Sequence, residues 1–420
     1  MGIYNLLAQI RIPVYGQTFE VSLGVIAQLI SWLIGGIGIV GVGIIVFSLL
    51  LRVVVLPFDI YQRINMRKQN IKMKENQARM EKLQKQYAND KQMYQRKVME
   101  MYRESGLSVM SSCLPMIFSM IIFIVAIGGF NAYSQASNVE NYNVMADAYN
   151  KKVVQMISVL PSDYVEFDEA NSQYIIKDAQ AAMEKDAGLK AALTAEGVQE
   201  KDWEIAAQAY YSGAAQDYVV EVYETHVKAK KTQFLWIKNI WATDASYKHP
   251  VLDYETFKSE ISKEDFVIGD NEKASLTDAI GATKNSPYDE NAYNVITGKL
   301  TAQKEQANGY YIMIVLSIGT IILQQVVTMR SQKEQQKFSS VDGQGAQQQK
   351  TTLFIMTAMF AVFSFMYSAA FSIYMVVSNI TSLISTVIIN KIVDKSWAKK
   401  EEEALKAKYG KRYNRTNANK

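Results

Sequence analysis

The stretch LGVIAQLISWLIGGIGIVGVGIIVFSLLLRVVVLPF, Leu23–Phe58, decides the fold, because Arg52 is the sole charge in its 36 residues. A hydrocarbon layer of roughly 30 Å takes about 20 helical residues, whereas a buried soluble helix shows apolar runs of about 10–14. Working outward, Leu107–Phe130, Tyr310–Met329 and Thr351–Ile389 contain no Asp, Glu, Lys or Arg. The second and third runs each fit one crossing, and the last holds two short ones. The first is longer than one crossing needs, so its distal part is assigned to the bilayer. The reading is an all-α polytopic membrane protein with five crossings, at 37–58, 108–130, 310–329, 351–368 and 371–392.

Charge is segregated around these runs. Residues 59–106 carry 12 Lys/Arg against 6 Asp/Glu, and 391–420 carry 10 against 4. Residues 131–309 carry 17 Lys, no Arg and 28 Asp/Glu. Basic loops stay cytoplasmic, while long domains translocate largely regardless of charge. Five crossings then alternate consistently across the membrane. The segment 1–36 lies outside, 59–107 inside, 131–309 outside, 330–350 inside, and the basic tail 393–420 inside.

Glycines 35, 36, 38, 41 and 43 cluster after Trp32. Glycine weakens a helix, so the chain is expected to bend there, leaving the first piece along the outer interface where Trp is favoured. The first 22 residues lack a basic region followed by an apolar one, which predicts no cleaved leader. Pro57 is expected to end or kink the first crossing.

Within 59–107, Met73, Asn76, Met80, Leu83 and Tyr87 recur at helical spacing, and Tyr94, Val98 and Met101 continue it beyond the turn Ala88-Asn89-Asp90. That pattern predicts a helical hairpin with basic outer faces. The acidic block is expected to be mostly helical, over Ala179–Lys201 and Trp203–Lys231, with breaks at Gly269-Asp270 and Ser286-Pro287. Lys333–Gln349 reads as a polar loop and Lys399–Lys420 as a charged tail. Cys113 is the one cysteine, which excludes a disulfide framework. His226 and His249 have no ligand spacing, and no nucleotide motif or nucleophile–base pair appears, so no cofactor, metal or catalytic residue is expected.

The chemistry centres on Arg52, six residues before Phe58. A charge at mid-bilayer costs from about 2.5 to above 10 kcal/mol, depending on method. Six residues are about 9 Å of helix, so a polar recess and snorkelling to the headgroups stand as equal alternatives. With no Asp or Glu inside the assigned crossings, an intramembrane salt bridge to Arg52 is not expected. Ser119, Thr320, Gln324, Gln325, Ser378, Asn379 and Ser382 add polar groups on the other crossings. Singly, each reads most simply as a hydrogen bond between helices. Together they can line a half-aqueous groove around Arg52.

These features in this order resemble the YidC/Oxa/Alb insertase family. LLLRVVVLPF is followed by a basic hairpin and then by VMEMYRESGLSVMSSCLPMIFSMIIF, where Met99, Tyr102, Arg103, Cys113, Pro115, Met120 and Phe123 fall at matching places. FLWIKNIWATD (234–244) resembles the outer segment before the third core crossing. YYIMIVLSIGTIILQQ matches through Tyr310, Tyr311, Thr320 and Gln325, and SIYMVVSNIT through Tyr374, Ser378 and Asn379. The resemblance spans about 37–130, 234–247 and 310–392. Ser108-Val109, Ser111-Ser112, Ile121 and Ser368-Ala369-Ala370 depart from the family pattern. Insertions at about 132–232 and 250–308 suggest a divergent branch with an added outer role.

The resemblance implies a non-enzymatic insertase and chaperone of the bacterial cell membrane. In it Arg52, Ser119, Thr320, Gln325, Tyr374, Ser378 and Asn379 line a hydrophilic groove that receives nascent membrane proteins and releases them into the lipid bilayer. It implies the ribosome as a partner through the hairpin and tail, and the Sec translocon as a further one. Two rival readings are an envelope scaffold working through 131–309 and a small-anion transporter using Arg52. The transporter predicts internal repeats or paired broken helices, and neither is visible.

Overall fold

The computed structural model describes residues 12–104, 110–270, 272–331 and 344–417, without side chains at 66, 69–70, 73–74, 110–120, 331, 344–349, 352–353, 356, 398, 400–402 and 404–417. The chain is mostly helical and divides into two compact units. One comprises Met1–Gly43, Gly128–Ile312 and Tyr367–Ala370, and the other Ile44–Ile127, Met313–Met366 and Phe371–Lys420.

After strands β1 (Ile12–Pro13) and β2 (Glu20–Ser22), the apolar stretch forms two helices, α1 (Val25–Ile37) and α2 (Val40–Glu75). Gly38 ends α1 with φ of 76°, its N–H bonding Ile34 O at 3.0 Å. A side chain at that φ meets steric strain that glycine avoids. The expected bend is therefore real. Of the two outcomes expected at Pro57, an end is ruled out, because α2 runs through Pro57 and beyond Phe58 as one 36-residue helix. A proline removes one backbone donor, and α2 absorbs that loss without ending.

Helices α3 (Gln77–Gln86) and α4 (Lys91–Glu104) follow, joined by a turn in which the Asp90 carboxylate accepts from Met93 N at 2.9 Å. Met80 and Met101 are buried together, with Leu83, Val98 and Tyr102 packed on them. Helix α5 (Met110–Ile157) is continuous over 48 residues. After the acidic region come α13 (Ile312–Ser331), α14 (Gln344–Met366) and α15 (Ala369–Asn417), the numbers α6–α12 belonging to the region between. Val40–Asn65, Ile312–Arg330 and Ala369–Trp397 are long and apolar enough to cross a bilayer. The expected crossing at 108–130 falls partly outside the described residues, as do 333–343 of the expected loop and most of the tail's side chains, whereas 344–349, expected in that loop, begin helix α14.

The unit holding 128–312 corrects the all-α expectation. Strands β3 (Val165–Asp168) and β4 (Gln173–Ile176) form with β1 an antiparallel sheet of order β1-β4-β3. Helices α6 (Ala179–Lys185), α7 (Ala187–Ala195) and α8 (Trp203–Val222) follow, α8 continuing as a π-helix over Tyr223–Thr232. Beyond α9 (Tyr254–Ile261), β5 (Asp265–Ile268) and β6 (Glu272–Ala274) form with β2 a second sheet of order β2-β5-β6. Helices α10 (Leu276–Gly281), α11 (Glu290–Ile296) and α12 (Thr301–Glu305) complete the unit. Strands of two to four residues are too short for a period-two pattern, and their partners lie far away in sequence.

The core of this unit follows α5. Val139, Tyr142, Ala146, Tyr149 and Val153 recur every three or four residues and pack with Ala207, Tyr211, Ala215 and Val219 of α8. Tyr142 stacks on Tyr293 with centroids 4.9 Å apart. Asn308 is fully buried; its amide donates to Asn239 O and Thr243 O at 2.9 Å, and its carbonyl accepts from Asn239 N at 2.7 Å. The same segment pins the turn between α14 and α15. Ala369 N and Ala370 N donate to Ala242 O and Ile240 O at 2.9 Å, and Thr243 Oγ1 donates to Tyr367 O at 3.0 Å.

Candidate functional site

Arg52 lies on α2, its side chain 12% exposed, and forms an ion pair with Asp59, which is 18% exposed. The expectation that Arg52 lacks a carboxylate partner is overturned. The assigned crossing stopped at Phe58, but the helix carries straight on and brings Asp59 onto the same face two turns later. Asp59 also lies within electrostatic reach of Arg63, whose Nη2 donates to Thr386 Oγ1 at 3.1 Å. Two guanidiniums thus share one carboxylate, leaving a net charge of +1. Arg52 Nε is buried with no hydrogen-bond partner among the described residues.

The remaining predicted residues cluster on α13 and α15. Asn379 Nδ2 donates to Thr320 Oγ1 at 3.3 Å, and one turn further Gln324 Nε2 donates to Ser382 Oγ at 2.8 Å. Gln325 Oε1 accepts from Thr357 Oγ1 of α14 at 2.8 Å, and Ser317 and Ser364 hydroxyls pair at 2.9 Å. Tyr374 is 5% exposed, hydrogen-bonds Ser378, and lies within electrostatic reach of Arg52. Phe123 of α5 meets Phe360 edge-on, centroids 5.0 Å apart, and tilts against Phe371 at 6.2 Å. The Ser119 side chain lies outside the described residues.

Helix directions follow from these pairs. Between α2 and α15, Arg52 faces Tyr374, Arg63 faces Thr386, and Arg67 Nε lies 3.6 Å from Asp394. The numbers rise together, so the two helices run parallel. Thr320 with Asn379 and Gln324 with Ser382 make α13 parallel to α15. Ser317 with Ser364 and Gln325 with Thr357 make α14 antiparallel to α13.

Sequence reasoning missed Asp59, Arg63, Thr357 and Thr386. A signal for the first two was present, since Arg52, Asp59 and Arg63 at i, i+7 and i+11 share one helical face. Nothing in the sequence pairs Thr357 with Gln325.

Residues 32–172 and 218–396 match the family described as 60Kd inner membrane protein. The chain belongs to this family. The 60Kd inner membrane protein match leaves out 173–217, which hold β4, α6, α7 and most of α8. The chain is 35% identical to "Membrane protein insertase YidC" of Fusobacterium nucleatum over 92 residues, 22% of this chain and 43% of that protein. It is 35% identical to the like-named protein of Caldanaerobacter subterraneus over 115 residues, 27% of this chain and 54% of that protein. For the like-named protein of Clostridium perfringens the figures are 32% over 120 residues, 27% and 49%. The chain thus spans about half the length of the curated relatives it matches.

Proposed function

We propose that this protein is a non-enzymatic membrane protein insertase and chaperone, which receives client segments at Arg52 and passes them into the bilayer. The observation that carries this reading is a largely buried guanidinium, held by Asp59 on one side, whose Nε has no hydrogen-bond partner among the described residues. A client carboxylate exchanges with Asp59 at the guanidinium. Thr320, Gln325, Tyr374, Ser378 and Asn379, with Ser119 on α5, offer hydroxyls and amides to the client's polar terminus, lowering its desolvation cost. The apolar surfaces of the same helices then release the hydrophobic segment sideways into lipid.

The topology in this reading has five crossings, with the N-terminus and 131–309 outside and the hairpin, loop and tail inside. Parallel α2, α13 and α15 with antiparallel α14 support that alternation. The basic hairpin and tail make the ribosome a partner through salt-sensitive contact with RNA, and the Sec translocon is a second candidate partner.

The test is complementation of an insertase-depleted bacterium. Arg52→Lys retains insertion of clients with acidic outer segments, and Arg52→Ala loses it while insertion of uncharged clients persists. Equal activity of wild type and Arg52→Ala on acidic clients would sink the mechanism.

A further inference from the structure

The acidic unit carries a cavity of about 630 Å³ that the insertase reading does not use. It is lined by the end of α7 with its following turn, by Asp202 and α8 as far as Asp217, and by Lys299. Nearly all of this lining lies within 173–217, the segment outside the family match. The cavity therefore lies almost wholly outside the part of the chain that matches the family.

Its floor is built of small side chains. Ala206, Ala209, Gly213 and Ala214 lie along α8, and Leu193, Val198 and Ile205 supply apolar surface beside them. Gly213 is the informative one. A Cβ built there would meet nothing nearer than Lys299 Nζ, at 3.6 Å. The protein's own packing therefore does not require glycine, although glycine inside a helix is destabilising relative to alanine. With only the end of the flexible Lys299 side chain near that position, a second backbone can approach the floor closely, and the separation of packed helices is set by side-chain size at the contact. From Asp202 to Asp217 the floor runs about 22 Å at 1.5 Å per residue, enough for about four turns of a docked helix.

Charge selects the occupant. Glu196, Asp202 and Asp217 stand against Lys299, a net lining charge of −2. Lys299 is already engaged, 2.7 Å from Asp217 and donating to Gly213 O at 2.9 Å. The carboxylates left for a partner are Glu196 and Asp202. The surrounding block, with 28 Asp/Glu against 17 Lys, repels anionic partners and lipid headgroups.

We infer that the groove between α7 and α8 docks a cationic amphipathic helix of a partner protein, its apolar face on the Ala/Gly floor and its Lys or Arg side chains at Glu196 and Asp202. Helix-in-groove recognition takes its apolar anchors from one face, and the rim charges add steering and discrimination. The groove uses none of the residues around Arg52, so this inference does not rest on the insertase reading.

The experiment uses the full chain in phosphatidylcholine nanodiscs, with empty nanodiscs as control. The probe is a fluorescein-labelled amphipathic helix of Leu, Ala and Lys, read by anisotropy against a counterpart of Leu, Ala and Glu. The Lys peptide binds at least tenfold more tightly than the Glu peptide, and its binding weakens as salt rises. Gly213→Trp, which fills the floor, and the near-isosteric pair Glu196→Gln with Asp202→Asn each weaken it at least fivefold. The pair keeps the test decisive if the tryptophan variant does not fold. Equal binding of both peptides, or no loss in the Glu196→Gln/Asp202→Asn protein, overturns the inference. Full displacement by equimolar spermidine overturns it too, by assigning the groove to a small free cation.

Discussion

Asp59 stands seven residues after Arg52 on α2 and holds its guanidinium in an ion pair enclosed by neighbouring helices. Seven residues make two turns, about 10 Å of rise, which an arginine side chain reaching along the helix covers together with a carboxylate. In the proposed function Asp59 therefore occupies the group that a client's carboxylate would engage. Removing one partner of a fully buried pair costs about 3–5 kcal/mol, and the residual exposure here lowers that to about 2 kcal/mol. Asp59→Asn should destabilise the protein by this amount yet speed insertion of a client with an acidic outer segment, as read by protease protection. Slower insertion by Asp59→Asn than by wild type would show that the pair works as a unit and that nothing exchanges with it.

The hydrogen bonds Asn379–Thr320 and Gln324–Ser382 join α13 to α15. Bonds of this type within a bilayer average about 0.6 kcal/mol and reach about 1.7 kcal/mol. If these groups only join helices, Thr320→Val and Asn379→Leu cost about that much stability and leave insertion unchanged. If they also receive a client's polar terminus, insertion falls several-fold at the same small loss of stability. Thermal unfolding and protease-protected insertion, measured on the same preparations, decide between the two, and the proposed function requires the second.

What the sequence discloses tracks the size of the physical signal. Apolar runs about as long as a bilayer is thick are hard to miss, and three of them stand as membrane-length helices. The glycine cluster correctly marks the break that Gly38 makes between α1 and α2. Pro57 did not end the helix, because losing one backbone donor is a smaller effect than the continuous helix on either side. Asp59 was missed for the same reason: ending the crossing at Phe58 put the ion pair's second half out of consideration. The sheets escaped notice because β1 and β2 reach strands more than 150 residues away, as Ile12↔Tyr174 and Val21↔Phe266 illustrate. Of the candidate site, Arg52 and the polar positions were legible, whereas their partners depended on helix register.

Asn308 offers a test of the unit holding 128–312. Its side chain satisfies backbone groups of Asn239 and Thr243 in the segment that also receives Ala369 and Ala370. Asn308→Ala leaves one backbone donor and two carbonyls without that partner in a buried place, and each such group costs about 1–3 kcal/mol. The expected loss is about 3 kcal/mol, with faster proteolysis at the turn Tyr367–Ala370. Proteolysis there at the wild-type rate would mean that the turn is held independently of Asn308.

The same unit should lose stability as pH rises. Burial lifts the Glu260 carboxyl from 4.5 to about 7, against the opposing pull of Asn138, and burial with nearby Asp265 lifts Glu264 to about 7. Below pH 4.5 both groups are protonated whether the chain is folded or not, and neither opposes folding. Between 4.5 and 7 the unfolded chain releases these protons while the folded one keeps them, so the folded state loses ground until its own carboxyls ionise. A displacement of this size corresponds to up to about 3 kcal/mol for a fully buried group. Urea unfolding of the full chain, followed by proteolysis within 131–309, should give a lower midpoint at pH 8 than at pH 5. Glu260→Gln, which stays neutral throughout, should flatten that dependence and raise the midpoint at pH 8. A midpoint that rises with pH in the wild type, or a slope unchanged in Glu260→Gln, would show that the carboxyl ionises in place with water or a cation beside it.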